Sequence, residues 1–257
     1  MIEIALCLAI VGFALVAIIG VLPAGLNVQK DNREETIINE EASIWMDALR
    51  SGSFGYDEIT KYVDRVVVSS QNFDENNNPV GGTIVTVAER GMPSLGDKKV
   101  QFNDAGSLIV GLLSTPRIGA PTPGVAAVYS TNYVYAYVRA FSGIAAEKPP
   151  QDNLDVRDLA FSYRMVVETT RVGSYDPASL YTNQLGRTLG RNLADVRLLF
   201  RWPLKESVTQ NTPLDRPETG SGRLAFRSEL SGTLDRAPNS NFPDIPFYFL
   251  QPRNYQK

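Results

Sequence analysis

The sequence predicts an α+β fold: a long N-terminal helix, apolar in its first half and amphipathic in its second, packed on a β-rich head of antiparallel sheet. Three observations carry this. No charged residue interrupts the run from Ile4 to Leu26. Apolar residues at helical spacing continue from Ile37 to Leu49. Beyond residue 52 the apolar positions switch to a period of two, the repeat of half-buried strands. The expected division is a helical segment, residues 1–52, and one globular head, residues 53–257.

The first element is IALCLAIVGFALVAIIGVLPAGL, longer than the roughly 20 residues that cross a bilayer core. A secretory signal would show basic residues ahead of a shorter apolar region and a small-residue cleavage site. Here Glu3 opens the segment and no Lys or Arg precedes it, which favours an anchor or assembly helix. Ile37, Ile38, Ala42, Trp45 and Leu49 then recur at three- and four-residue steps, the stripe of an amphipathic helix. Lys30, Asp31, Arg33, Glu34, Glu35, Glu40, Glu41 and Asp47 are assigned to its polar faces. Ser51-Gly52 supplies a stop. One helix from about residue 2 to 51 would be roughly 75 Å long at 1.5 Å per residue. Gly20, Pro23 and Gly25 weaken its middle and predict a kink there.

The rest reads as strands. Tyr133, Tyr135, Tyr137, Arg139 and Phe141 alternate with Val134, Ala136, Val138 and Ala140. Leu159 to Thr169, Val196 to Trp202 and Leu224 to Leu230 alternate in the same way. Shorter strands are expected over Arg65–Ser69, Thr83–Ala88, Leu108–Leu113 and Pro246–Leu250. Short helices are expected near Asp57–Asp64 and Pro177–Leu189. Gln71 to Gly82 and the proline-rich stretches between the other strands read as surface loops.

Composition narrows the function. The net charge is −3, from 25 basic and 28 acidic residues with no basic stripe, so no nucleic-acid partner is expected. Histidine is absent, which removes the usual general base and the commonest metal ligand. Cys7, in the apolar run, is the single cysteine and forms no intramolecular disulfide. No nucleophile elbow, phosphate loop or metal-ligand spacing occurs. The expectation is therefore no enzyme, no catalytic residue and no cofactor. Asp74, Glu75 and Asn76, with Asn77 and Asn78, offer oxygen ligands for calcium, but without the spacing of a calcium loop. Asp152, Asn153, Asp155 and Asp158 form a similar loose cluster. Solvated loops explain both better. Tyr133, Tyr135 and Tyr137 with Arg139 read as a binding surface or, more often for such a row, as packing against the long helix.

The opening residues IEIALCLAIVGFALVAIIGVLPAGL resemble the N-terminus of type IV pilins and pseudopilins. Ile2-Glu3 matches that family's Ile-Glu pair, and Met1 then corresponds to the third residue of the family's mature chain. Gly12 falls where the family has a helix-weakening glycine, and Pro23 lies three residues beyond the usual helix proline. The match covers about the first 50 residues. NLADVRLLFRWPL, at Asn192–Leu204, and GRLAFRSELSGTL, at Gly222–Leu234, are similar to segments of the pilin-like cassette proteins of verrucomicrobial bacteria. The resemblance implies a pilin-like head and assembly into a homo-oligomeric helical filament by an inner-membrane pilus machinery. The chain would sit in the inner membrane before assembly and in an extracellular filament after it. It further implies that Glu3 pairs with a neighbouring subunit's N-terminal amine. The cluster of Gly20, Pro23 and Gly25 predicts, from the residues themselves, that the helix is interrupted between Gly12 and Gly25 in the assembled state. Two alternatives accompany this reading: a minor pilin or pseudopilin of a type II-like secretion machine, and a membrane-tethered binding protein that never polymerises.

Overall fold

The computed structural model describes residues 2–52, 57–89, 98–101, 105–121, 125–141, 161–172, 190–204, 218–238 and 241–252. Contacts divide the chain into two compact units, Met1–Glu40 and Glu41–Lys257. The boundary of compactness lies inside the first helix, whereas the expected division followed the helix end near residue 52.

Helix α1 spans Ile2–Ser51 without a break in its helical assignment. Gly12, Gly20 and Gly25 lie in open space along it, and Pro23 is accommodated inside it. Proline has no N–H to donate to the carbonyl four residues back, so that carbonyl loses its helical partner. This is the helix of an isolated chain, and the expected interruption concerns the assembled state. The helix stops where a left-handed residue is required: Gly52 has φ 72°, and a Cβ there would meet the Leu250 carbonyl oxygen at 2.8 Å.

The second unit is built on a mixed sheet. Its strands are β1 (Val63–Phe73), β2 (Pro79–Glu89), β3 (Lys98–Gln101), β4 (Ile118–Gly119), β5 (Tyr129–Arg139), β6 (Ser162–Arg171), β7 (Leu193–Leu204) and β8 (Thr219–Ser231). The order is β3-β2-β1-β5-β6-β7-β8, with β4 on β5. The expected all-antiparallel sheet is corrected at one edge, where β3 runs parallel to β2. β9 (Thr233–Ala237) and β10 (Phe247–Gln251) form a separate antiparallel pair.

The short helix expected near Asp57–Asp64 is a 3-10 helix over Asp57–Lys61, and the chain is already strand at Val63. One further expectation is corrected: Gly106–Leu113 is helix α2, not a strand. A short apolar run reads equally as a buried strand or a buried helix, and here long-range packing decided. The Gly106 N–H donates to Asp57 Oδ1 at 3.2 Å, so a side chain remote in sequence meets a free donor at the helix start. Ile109, Leu112 and Leu113 are buried, and a Cβ on Gly111 would meet the Phe249 ring at 2.7 Å. The helix expected near Pro177–Leu189 lies outside the described residues.

The strand pairing assigns the two sheet faces. Val134, Ala136 and Val138 stand opposite Val167, Met165 and Tyr163, and Phe200 and Leu198 continue these rows on β7. All of them are buried. Trp45 of α1 lies on this face, donating its indole N–H to Tyr163 Oη at 2.7 Å and packing on Phe141 with ring centroids 5.5 Å apart. Burying an indole of about 200 Å² stabilises by about 5 kcal/mol at most. The expected packing of Tyr135 and Tyr137 against the long helix is therefore corrected. They lie on the opposite face, in a cluster with Val67, Val85, Val87 and Val166. Strands covered on both sides explain why Val66, Val67 and Val68 are buried in succession.

Candidate assembly surface

The first half of α1 is apolar in every direction and fully outside the protein's own core. Ile2, Ile4, Phe13, Val16 and Ile19 are each more than three-fifths exposed, and Ile2 and Phe13 exceed four-fifths. An 18-residue stretch of α1 has a mean hydropathy of 3.0 with none of it buried, so this helix is long and apolar enough to cross a membrane. Apolar patches beyond a few hundred Å² on a folded chain mark contact with lipid or with another protein. A helix apolar all round has no face to give to water. Glu3 sits in the first turn, exposed, where its negative charge complements the partial positive charge of the helix terminus. Cys7 is exposed on the same apolar segment. Past Leu26 the helix turns polar, and Lys30 Nζ reaches Glu34 Oε1 at 3.7 Å.

The end of α1 is held by a buried polar network. Glu41 is completely buried, although its place in the sequence put it with the polar faces. Its Oε1 accepts the Phe141 N–H at 2.6 Å, and its Oε2 accepts the Tyr163 hydroxyl at 2.7 Å. Tyr163 in turn accepts the Trp45 indole N–H. Burial, then the adjacent Glu41 charge, pushes the Tyr163 hydroxyl well above its ordinary ionisation range. The network joins helix to sheet through a carboxylate that receives charge-assisted bonds. The signal was present in the spacing: Glu41 stands three residues after Ile38 and four before Trp45, on the buried stripe itself.

The calcium candidates form the β1–β2 hairpin tip. Asp74 Oδ1 accepts the N–H groups of Asn76 and Asn78 at 2.9 and 2.8 Å, and Oδ2 accepts Asn78 Nδ2 at 3.3 Å. The backbone bond from Asn78 leads in lowering the Asp74 carboxyl below its usual range. Asn77 adopts φ 62°, a conformation asparagine tolerates, and its Oδ1 accepts the Tyr129 hydroxyl at 2.9 Å. Asp74 is thus occupied with turn geometry, and Glu75 and Asn76 are exposed. Among the described residues no group of three or more acidic, His or Cys side chains converges as a metal site. The cluster at Asp152 to Asp158 lies outside the described residues.

The tyrosine-bearing face carries an arginine row toward its β8 edge, which the strand alternation alone did not reveal. Arg164, Arg201 and Arg223 stand directly opposite one another across β6, β7 and β8. Four residues along, Arg197 and Arg227 are also opposite one another, and there Asp195 compensates them at 3.3 Å to Arg197 and 2.8 Å to Arg227. The hydrogen bond to Asp195 and its charge hold the Arg227 guanidinium above its usual range. Buried Arg139 is paired with Asp64 at 3.3 Å and donates to the Lys61 carbonyl at 2.7 Å, so it serves the fold rather than an open surface. Comparison with protein-family models, curated proteins and solved structures finds no match to this chain.

Proposed function

We propose that the chain is a structural subunit of a type IV pilin-like extracellular filament, assembled through the apolar half of α1. The observation that carries this is one uninterrupted helix with a fully exposed apolar half and an end buried in a folded head. The apolar half needs lipid before assembly and copies of itself afterwards. In such a bundle Glu3 would be poorly solvated, and a neighbouring chain's terminal amine would compensate it. The Ile2-Glu3 pair and the position of Gly12 add the resemblance to pilins. Interruption between Gly12 and Gly25 would let neighbouring helices adjust as they pack, at about 1 kcal/mol for each glycine and 3 for Pro23. The partners are further copies of the chain and an inner-membrane assembly machinery.

A non-catalytic role fits a chain without histidine. Among the described residues, a cleft lined by Val68, Thr86, Leu112 and Tyr248 holds about 50 Å³. The experiment is to express Glu3→Ala and Glu3→Gln, verify head folding by protease resistance, and count filaments by negative-stain microscopy. Breaking a buried charged pair costs about 3–5 kcal/mol per subunit, so filaments should vanish or fall sharply while the head stays folded. Normal filament numbers would remove the assembly role of Glu3. Sheared material holding this protein as unassembled single chains would favour a membrane tether, and short capped assemblies a minor subunit.

A further inference from the structure

Among the described residues the sheet ends at β8. This strand is 13 residues long, and among the described residues its one strand neighbour is β7. Its far side offers a row of backbone donors and acceptors, the template on which a further strand pairs. Both side-chain rows are unfinished as well. On the face shared with Trp45, Leu224 and Phe226 stay half-buried, whereas the Leu198 and Phe200 opposite them are fully buried. On the other face Arg223 and Glu229 are exposed; Glu229 interacts with Arg227 through charge alone, and neither Arg223 nor Glu229 forms a salt bridge among the described residues.

The occupant follows from complementarity. A second copy of β8 laid antiparallel must keep each face continuous, because a one-residue slip would place arginines against Leu224 and Phe226. The fully overlapped register sets Arg223 against Arg227, a repulsive pair. Displaced by two residues on one strand, the register pairs Phe226 with Phe226, Leu224 with Ser228 and Arg223 with Glu229, the last occurring twice by symmetry. Opposite charges then meet directly, and the half-buried row acquires a cover. We infer that two heads pair through their β8 edges in this register, extending the sheet across a two-fold axis. An isologous contact closes on itself, so it is separate from the bundling of α1 and does not rest on the filament reading.

The test uses the full chain in lipid nanodiscs, each carrying Cys7→Ser and Ala225→Cys, with a short bis-maleimide linking the two Ala225→Cys sites. The expected result is efficient dimer cross-linking. Arg223→Glu alone or Glu229→Arg alone should each lower the cross-linking rate at least tenfold. Arg223→Glu with Glu229→Arg should restore it to within about twofold. Thermal melting of each variant identifies loss of fold, and the double variant keeps the test decisive if a single variant melts early. Cross-linking that is absent in the starting protein, unaffected by either single reversal, or not restored in the double overturns the proposal. Adding Glu3→Ala should leave cross-linking intact, whatever it does to filaments.

Discussion

Glu41 shows how much one buried residue can hold in place. Its carboxylate receives the Tyr163 hydroxyl and the Phe141 N–H, and Tyr163 receives Trp45, so helix and sheet share one polar chain. Tyr163→Phe removes the donor to Glu41 Oε2 and the acceptor of the Trp45 indole. We expect a loss of about 2–4 kcal/mol in unfolding free energy, measurable by urea denaturation in detergent. The pH dependence has a defined sign. Tyr163 titrates higher in the folded state than in the unfolded one. Its contribution is complete below an unfolded value of about 10 and is lost as pH rises beyond it, because the unfolded chain releases the proton first. Stability should therefore fall less steeply above pH 10 in Tyr163→Phe than in the native protein. Asp74 has the opposite sign: its lowered carboxyl contributes above the ordinary carboxylate range and loses that contribution as pH falls through it. Asp74→Ala should speed hydrogen exchange at the Asn76 and Asn78 amides, whose acceptor it removes. Equal exchange rates would show that the turn holds without the carboxylate.

Among the elements, β7 and β8 depend on a glycine for their contact. The Trp202 indole lies where a Cβ on Gly222 would stand, with the Cδ2 atom 2.7 Å from it. Gly222→Ala should displace Trp202 and cost about 1–3 kcal/mol, the range for overpacking a fitted site. Tryptophan fluorescence should shift to the red as the indole gains water. An unchanged spectrum and midpoint would mean that the strand adjusts freely. Helix α2 is an element made by its surroundings: Asp57 meets its first amide and Phe249 fills the place a side chain would take at Gly111.

For the whole molecule, the apolar half of α1 is the part that its own fold leaves open. Residues 2–28 are exposed wherever their burial is described. Deleting residues 1–28 should leave the thermal midpoint of the head within a few degrees, while removing the need for detergent. A large fall in midpoint would show that the apolar segment supports the fold. A truncated chain that still needs detergent would place the apolar surface elsewhere.

The sequence by itself determined the elements whose pattern is local and strong. The apolar half of α1 is legible because no polar residue interrupts any of its faces, and its end is legible because Gly52 supplies a left-handed residue. β5, β6, β7 and β8 were legible from period two, since each shows its alternation without reference to a neighbour. Tertiary structure alone decided which face of a doubly apolar strand meets what. Tyr135 and Val134 are equally buried, and only the strand pairing places Val134, not the tyrosines, on the side of Trp45. It also decided that Gly106–Leu113 coils, that β3 runs parallel, and that Glu41 goes inward. For α2 and Glu41 the deciding partner is far away in sequence: Asp57 and Phe249 for α2, Tyr163 and Phe141 for Glu41; for β3 it is the preceding strand β2, whose pairing direction no local pattern records. Local periodicity records which residues can be buried, whereas long-range pairing chooses the neighbours that bury them.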